Sequence, residues 1–164
     1  SLASTIRISY MVLPKSLLHL YYNKLGFYAC TVSNFEQYTL AAFIRDQYFE
    51  KHINRMRNHY RSLRDELIAG FKQSPIADRI TISQENAGLH FLLHIDSKKS
   101  DQELQAMAQT HDITLAFVSD YYSYDFKSDI SQYDHTAIIN YSGLNMDDIP
   151  VVIERLSSAW SDLL

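Results

Sequence analysis

The sequence has 164 residues, of which 46% are hydrophobic and 21% are charged, which excludes a disordered tail and fits one domain or one large piece of a domain. Its 4 Gly and 3 Pro exclude collagen-like and proline-rich proteins and predict a chain rich in helix, because few tight turns are possible. The net charge of −4 is unevenly distributed: residues 1–95 carry a balance of +4 and residues 96–164 a balance of −8.

The first half of the chain predicts one strand and three helices. A β-branched and aromatic run that stops at Pro14 is typical of a strand, and Gly26 is typical of a helix end. Ser33 with Glu36 three residues later predicts a capping box at a helix start. The predicted elements are a strand over residues 6–13 and helices over residues 15–24, 33–45 and 47–72.

The second half predicts strands separated by helices. After Pro75 the apolar period changes from about 3.6 to 2, which indicates a change from helix to strand. Ser100 is placed to cap a helix, and acidic residues at the start of the last helix favour the positive end of its dipole. The predicted elements are strands over residues 79–83, 88–95, 113–118 and 136–141, helices over residues 101–110 and 147–162, and a loop over residues 119–134.

These elements predict an α/β (α+β) fold, in which residues 75–164 form a small sheet with helices packed on one side. The chain is divided into residues 1–46, a long helix over residues 47–74 and a small C-terminal domain over residues 75–164. The strand over residues 6–13 is separated from the other strands by roughly 65 residues of helix, so we expect it to belong to a different sheet. We expect residues 75–164 to be the stable core.

The only cysteine, Cys30, cannot form an internal disulfide, which favours a reducing cytoplasm. No apolar run reaches the roughly 18 residues needed to cross a bilayer, and no export leader opens the chain. We therefore expect a cytoplasmic protein with no membrane partner. Cys30 itself is interpreted as a packed free thiol and not as a nucleophile.

Histidines are the residues that most suggest a metal, but their spacing does not favour one. His90 and His94 point to the same face of a predicted strand about 13 Å apart, which is too far for one ion. His52 and His59 lie two turns apart on the long helix. The sequence therefore predicts no metal site, and His90 and His94 are interpreted as sheet-surface or core residues.

Two features leave alternatives open. The run Tyr121-Tyr122-Ser123-Tyr124 could stack bases of a single-stranded nucleic acid, but its acidic neighbours oppose phosphate binding and favour a packed loop or a pocket rim. Seven of the 15 basic residues fall between Arg45 and Lys72, which indicates either a DNA-binding helix or a solvated basic side. The charges ring the helix and do not follow recognition-helix geometry, so direct DNA binding is the weaker interpretation.

Arg7 is a lone arginine in an otherwise apolar predicted strand, just after a turn of small residues. A guanidinium in such surroundings needs an anion, and a phosphate can accept two of its parallel N–H donors. An ordinary ion pair at the start of a strand explains the same residue equally well. The residues themselves leave both interpretations open.

Five stretches of the chain resemble one family of regulators. They are residues 1–14, similar to S-L-x-P-x-[LI]-R-[IL]-[GS]-Y-[ML]-V-[LV]-P; residues 33–37, similar to S-x-x-x-Q; residues 49–57 with Tyr60 and Arg64, similar to F-E-R-H-[IL]-R-[RK]-M-R…Y…R; residues 87–90, similar to A-G-[LM]-H; and residues 140–144, similar to G-[FY]-[AS]-x-L. The chain thus resembles regulators of the MocR/GabR type, a branch of the GntR family. These proteins join a winged helix-turn-helix DNA-binding domain to a body shaped like a fold-type I pyridoxal-phosphate aminotransferase.

The resemblance covers the whole chain and implies the C-terminal third of such a protein. It implies that the cofactor lysine stands immediately before Ser1, that residues 1–46 end the large pyridoxal-phosphate domain, and that residues 75–164 are the small domain of the fold. In the family, the arginine matching Arg7 binds the phosphate of pyridoxal 5′-phosphate, so Arg7 is the predicted cofactor-binding residue. Ser4 replaces the usual proline. No catalytic residue is implied in this chain.

The chain departs from the family where an aminotransferase-like protein holds a carboxylate with an arginine. No Arg occurs between Arg79 and Arg155, and Ile138 and Asp120 stand where such an arginine would be expected. The resemblance therefore does not predict recognition of an amino-acid carboxylate in the usual way.

Together these observations predict the effector- and pyridoxal-phosphate-binding region of a GntR/MocR-family transcription regulator, without its DNA-binding domain and without the Schiff-base lysine. We expect no catalysis and no covalently bound cofactor in this chain, because Lys15 and Lys24 lie on the following helix, away from the position of the family's lysine. The expected partners are the winged-helix and large domains of the same protein, DNA through that protein, a second copy in a homodimer, and a small-molecule amine or amino-acid effector. The alternative is a fragment of a pyridoxal-phosphate-dependent aminotransferase or C–S lyase.

Overall fold

The computed structural model describes residues 6–122 and 133–161. The chain divides into two compact units, Ser1–Arg57 and Asn58–Leu164, which we call the first and the second unit and describe separately. The division falls inside the longest helix.

The first unit is helical, as predicted. Its elements are α1 (Lys15–Leu25), α2 (Asn34–Arg45) and the beginning of α3 (Tyr48–Gln73). The Ser33 hydroxyl accepts a hydrogen bond from the backbone N–H of Phe35 at 3.2 Å, so Ser33 caps α2. Since that hydroxyl is bound to Phe35, the predicted capping box with Glu36 is wrong.

The strand predicted over residues 6–13 is not formed. Residues 6–14 belong to no helix or strand, and α1 follows directly. A strand requires a neighbour that shares its backbone hydrogen bonds, and no described residue pairs with this segment. Most of its side chains are open to solvent, with Tyr10 and Val12 exposed at 91% and 82%, while Ile8 and Leu13 are half-buried.

The second unit contains a four-stranded sheet in the order β1-β2-β4-β3, in which every pair is antiparallel. Its strands are β1 (Ile80–Ser83), β2 (His90–Ile95), β3 (Ala116–Phe117) and β4 (Thr136–Asn140). At the centre, Leu93 pairs with Ile82 on one side and Ala137 on the other. β3 is shorter than predicted: it begins only at Ala116, and it ends at Phe117 because the chain turns into a 3-10 helix over Val118–Tyr121.

Two further helices complete the second unit, α4 (Asp101–Gln109) and α5 (Ile149–Ala159). Ser100 and Glu103 form a capping box, in which the Glu103 carboxylate accepts the Ser100 backbone N–H at 2.7 Å. That hydrogen bond holds the pKa of Glu103 below its ordinary value. Pro150 lies in the first turn of α5, where its missing N–H costs nothing. No helix within the described residues is long and apolar enough to cross a membrane.

One face of the sheet carries the core of the second unit. Phe91, Leu93 and Ile95 alternate along β2 and are fully buried in a cluster with side chains from three helices. The helices contribute Leu63, Leu67, Ile68 and Phe71 from α3, Leu104 and Ala108 from α4, and Leu156 and Ala159 from α5. The predicted α/β (α+β) fold, a small sheet with helices on one side, is therefore confirmed, and its core begins in α3, before residue 75.

Helices α3 and α5 approach closely at Gly70. A Cβ at this position would lie 3.0 Å from Cγ1 of Ile153, which is tighter than ordinary van der Waals contact. The absence of a side chain at Gly70 thus permits the observed packing distance of the two helices.

Candidate functional site

Arg7 is exposed and lies in the irregular segment before α1. No salt bridge among the described residues involves it. The ordinary ion pair that explains Arg7 without a ligand is therefore not formed within residues 6–122 and 133–161. A guanidinium without a carboxylate partner is free to bind an anion such as a phosphate.

A cavity of about 250 Å³ in the first unit is lined by residues that flank Arg7 in the sequence. Its apolar walls come from Ile6, Ile8, Phe35, Leu40 and Phe43. His52 also lines it, and its Nε2 atom is buried without a hydrogen-bond partner in the part of the chain that the structure describes. The cavity therefore combines an apolar wall with one unsatisfied imidazole nitrogen.

His52 is a candidate ligand-binding residue of this cavity, which its spacing from His59 in the sequence did not indicate. The two rings have different surroundings, since His52 packs against Phe43 with ring centroids 6.5 Å apart and His59 against Tyr60 at 5.1 Å. The sequence signal that could have singled out His52 is its place in the stretch over residues 49–57, the most recognisable part of the resemblance.

Ile138 lies on the face of the sheet opposite the core. It is half-buried between its two pairing partners, Leu92 on β2 and Ala116 on β3. This position, where an arginine would be expected in an aminotransferase-like protein, is therefore apolar together with its neighbours.

Asp120 stands at the second position where an arginine would be expected, and its side chain is already used in hydrogen bonds within the protein. Its carboxylate accepts the backbone N–H of Phe117 at 2.8 Å and the side-chain amide of Gln105 at 2.7 Å. Asp120 thus holds the turn after β3, and neither it nor Ile138 presents a cation to a ligand.

The two histidines of β2, His90 and His94, do not belong to the core. His90 and His94 alternate with the core residues of β2, so they lie on the opposite face of the sheet, and His94 Nδ1 is 3.3 Å from Thr136 Oγ1. Within the described residues, no group of three or more His, Cys, Asp or Glu could hold a metal ion.

Cys30 is exposed, which contradicts the prediction of a packed thiol. It lies in the irregular connection between α1 and α2, where the described residues of the first unit provide no buried core. Its Sγ accepts a weak hydrogen bond from the Gln37 side-chain amide at 3.6 Å.

Asp101 joins two distant parts of the chain, a role that the sequence analysis missed. Its carboxylate accepts hydrogen bonds from the Ser119 hydroxyl and from the backbone N–H of His135 at 2.9 Å. His135 Nδ1 lies 3.5 Å from the same carboxylate, whose side chain is only 12% exposed. Nothing in the local sequence indicates contacts 18 and 34 residues away.

The tyrosine-rich run follows Ser119. Tyr121 and Tyr122 are exposed at 72% and 44%, while residues 123–132, with the rest of the predicted stacking platform and its acidic neighbours Asp125 and Asp129, lie outside the described residues. The choice between a packed loop and a pocket rim stays a prediction.

Sequence comparison relates the chain to bacterial transcription regulators. The chain is 34% identical, over 100% and 98% of its length, to the uncharacterized HTH-type transcriptional regulators YhdI and YdeL of Bacillus subtilis (strain 168). It is 26% identical over 98% of its length to the probable rhizopine catabolism regulatory protein MocR of Rhizobium meliloti. The resemblance to MocR-type regulators is confirmed.

The chain spans about a third of the length of these three regulators, between 31% and 34%. No family model matches it. The relationship to MocR-type regulators therefore rests on the individual relatives, and it concerns one part of each of them.

Two solved structures show the fold. The kynurenine aminotransferase of Pyrococcus horikoshii matches 75% of this chain with 29% of its own, at a TM-score of 0.62 and 17% identity. LysN, an α-aminoadipate aminotransferase from Thermus thermophilus, matches 76% with 30% of its own, at a TM-score of 0.62 and 14% identity. At these identities the likeness shows the fold alone, that of fold-type I aminotransferases.

Both aminotransferase structures contain a phosphorylated pyridoxal-type group. The first is a complex with PMP, and the second is a complex with N-(5′-phosphopyridoxyl)-L-leucine. The fold that this MocR-like chain shares is thus one that holds such a cofactor in other proteins.

Proposed function

We propose that this chain is the C-terminal, aminotransferase-like region of a GntR/MocR-type transcription regulator, and that this region binds pyridoxal 5′-phosphate and senses an effector. The observation that carries the proposal is that one chain combines similarity to HTH-type regulators along its whole length with the fold of aminotransferases. In such a regulator, DNA is bound by a winged-helix domain in the remaining two thirds of the protein.

Arg7 is the residue that would hold the cofactor in this chain. The residues present fit a phosphate, because the Arg7 side chain is exposed and has no salt-bridge partner among the described residues. A guanidinium offers two parallel N–H donors, which match two phosphate oxygens. The bound cofactor would supply an electron sink for chemistry on amines. Lys15 and Lys24 belong to α1, so we place the lysine that attaches the cofactor in the rest of the protein.

The exposed surface of the first unit supports the proposal that this unit belongs to a larger domain. None of its described residues, 6–57, is buried. Its most exposed large apolar side chains include Val12, Phe27, Phe35 and Tyr38, each exposed at 76% or more. Because soluble proteins rarely leave so much apolar surface open, we infer that the rest of a large domain covers it. Residues 1–46 then end the large domain, residues 47–74 connect the domains, and residues 75–164 form the small domain.

Of the two effector classes, an amine is favoured over an amino acid. Ile138 with its apolar partners cannot neutralise a carboxylate, and the carboxylate of Asp120 would repel one. An amine without a carboxylate leaves no unpaired anion at these positions. Spectroscopic titration of the cofactor-loaded protein with amines and with the matching amino acids tests this assignment, and tighter binding of the amino acids would contradict it.

The central test measures pyridoxal-phosphate affinity of the full-length protein and three variants. Arg7→Ala removes charge-assisted hydrogen bonds from a phosphate that the rest of the large domain would enclose, which would cost about 2–5 kcal/mol, or roughly 30- to 5000-fold in affinity. Arg7→Lys should restore only part of this loss, since an ammonium cannot bind two oxygens through a planar fork. Arg55→Ala, an exposed arginine of the same unit, is the matched control and should leave the affinity unchanged. Equal affinities for wild type and Arg7→Ala would overturn the phosphate role.

A true aminotransferase or C–S lyase is the second candidate, favoured by the solved structures that share the fold. Turnover distinguishes the two: the proposed regulator binds an effector without sustained amino-group transfer or C–S cleavage, whereas multiple turnovers would establish the enzyme. The homodimer and the cytoplasmic location stay predictions.

A further inference from the structure

A groove between α3 and α5 lies entirely within the second unit. Its volume of about 660 Å³ falls within the range of small-molecule binding sites. Glu66, Gly70 and Gln73 line it from one face of α3, since they are three or four residues apart. Glu154 and Ser157 line it in the same way from α5. We call this feature the α3–α5 groove.

The floor of the α3–α5 groove is apolar. Gly70 has no side chain, and a Cβ at that position would lie 3.0 Å from Cγ1 of Ile153 and 3.9 Å from Cγ2 of Ile149. The two isoleucines therefore lie opposite the backbone of Gly70, and both line the groove. Such a floor can cover the hydrocarbon part of a ligand, because the removal of apolar surface from water is favourable.

The rim of the α3–α5 groove carries two carboxylates without a compensating cation. Glu66 and Glu154, one from each helix, are both exposed. Neither forms a salt bridge with another described residue. Among the described residues that line the groove, none is Lys, Arg or His. The groove is therefore complementary in charge to a cation.

Ser157 supplies an independent indication of a ligand. This residue is only 8% exposed, and its Oγ is buried with no hydrogen-bond partner among the described residues. A serine within a helix usually donates to the carbonyl four residues earlier or points out to water, and Ser157 does neither. Because an unpaired buried hydroxyl is unfavourable, a donor seated in the groove would satisfy it.

The residues around the α3–α5 groove do not require a covering domain. At the rim, Glu66, Gln73 and Glu154 are exposed polar side chains, whereas Ile149 is buried and Ile153 half-buried. No large apolar side chain that lines the groove is exposed, in contrast to the surface of the first unit. We therefore expect the groove to stay open to solvent in the full-length protein.

We propose that the α3–α5 groove binds a small organic ammonium ion that carries an apolar group. The ammonium would contact the carboxylates of Glu66 and Glu154 and donate an N–H to the Ser157 hydroxyl. Its apolar group would lie on Ile149 and Ile153. A metal ion would leave this floor uncovered, and a neutral molecule would leave the carboxylates without a counter-charge.

A small molecule suits the α3–α5 groove better than a basic segment of a protein. Protein interfaces depend on apolar or aromatic anchors that become fully buried, and the polar rim offers none. The inference does not rest on the proposed function, because Arg7 does not line the groove.

The test measures the affinity of the full-length protein for N,N-dimethylbenzylamine by saturation-transfer difference NMR. This tertiary amine is protonated at neutral pH and cannot form a Schiff base with the aldehyde of pyridoxal 5′-phosphate. We expect Glu66→Gln and Glu154→Gln each to weaken binding roughly 2- to 5-fold, as for an exposed ion pair, and the double variant roughly tenfold. Ser157→Ala should also weaken binding, while it raises the melting temperature of the free protein by removing an unpaired hydroxyl. Glu85→Gln, in the turn between β1 and β2, is the matched control and should bind like the wild type.

Equal affinities for wild type and the Glu66→Gln/Glu154→Gln double variant would overturn the inference. So would equally tight binding of N,N-dimethylbenzamide, which has a similar shape without the charge, because the groove would then select only the apolar group. A basic segment of the full-length protein that already fills the groove would prevent the amine from binding, and that result would overturn the inference too. Cofactor affinity should be the same in all of these variants, so the proposed function and this inference fail independently.

Discussion

The carboxylate of Asp101 accepts the backbone N–H of His135 at 2.9 Å, across 34 residues of sequence. Because it also accepts the Ser119 hydroxyl, one side chain joins both ends of the segment over residues 119–135. Asp101 is the first residue of α4, where the positive end of the helix dipole stabilises a carboxylate. These contacts make Asp101 a structural residue of the second unit.

Replacing Asp101 should therefore destabilise the second unit. Asp101→Asn substitutes a donor for one acceptor oxygen and removes the charge, so we expect the free energy of unfolding to fall by about 1–3 kcal/mol. Asp112→Asn is the control, because the Asp112 contact with Arg155 is 3.5 Å long and exposed, and its loss should cost less than about 0.5 kcal/mol. Urea denaturation measures both, and equal effects would show that Asp101 holds nothing together.

Gly70→Ala should not increase the free energy of unfolding, although this substitution usually does so in a helix. In a helix interior Ala is favoured over Gly by about 1 kcal/mol. Here the new methyl group would lie 3.0 Å from Ile153 Cγ1, so we expect strain to offset that gain. In the Ile153→Ala background the strain is absent, and the gain should return. A double-mutant cycle by thermal or urea unfolding measures this coupling, and additive effects would contradict the close approach of α3 and α5.

Tyr141 predicts a loss of stability at alkaline pH. Burial raises the pKa of its phenol, and its hydroxyl donates a hydrogen bond to the Gly88 carbonyl at 2.8 Å. Since the folded state favours the protonated phenol, its contribution is present below the ordinary tyrosine pKa of about 10 and is lost as the pH rises above it. The free energy of unfolding of the wild type should fall more steeply than that of Tyr141→Phe between about pH 9.5 and 11. Parallel curves would contradict the assignment.

Hydrogen exchange should divide the 164-residue chain according to burial. The described hydrophobic residues that are buried all lie between Leu63 and Trp160. We expect the slowest exchange in β2, β4 and the second half of α3, and the fastest in residues 6–14, which share no strand hydrogen bonds with other described residues. Mass spectrometry of peptic fragments measures this, and strong protection over residues 6–13 in the monomeric chain would be the contrary result.

Local signals were sufficient for most of the elements. The stripe of Met56, Leu63, Leu67 and Phe71 repeats at helical spacing, and the observed α3 agrees with its predicted ends to within one residue. Ser100 caps α4, because its hydroxyl accepts the backbone N–H of Glu103 in the first turn of the helix. Such contacts join residues three or four apart, so the sequence contains all the partners that they need. The resemblance to MocR-type regulators also depends on residues in order along the chain, and the comparisons confirmed it.

Other properties depend on residues that are distant in sequence. The strand expected over residues 6–13 was wrong because a strand exists only with a partner, and apolar alternation does not say where that partner is. The prediction that Cys30 is packed was wrong because burial depends on what surrounds a residue in space. Asp101 was missed because its partners, Ser119 and His135, lie 18 and 34 residues away and meet it only in the folded second unit. Periodicity and capping residues therefore predict the helices, and the order of motifs along the chain indicates the family resemblance, whereas long-range contacts decide which strands form and pair, which residues are exposed and which carboxylate holds the fold together.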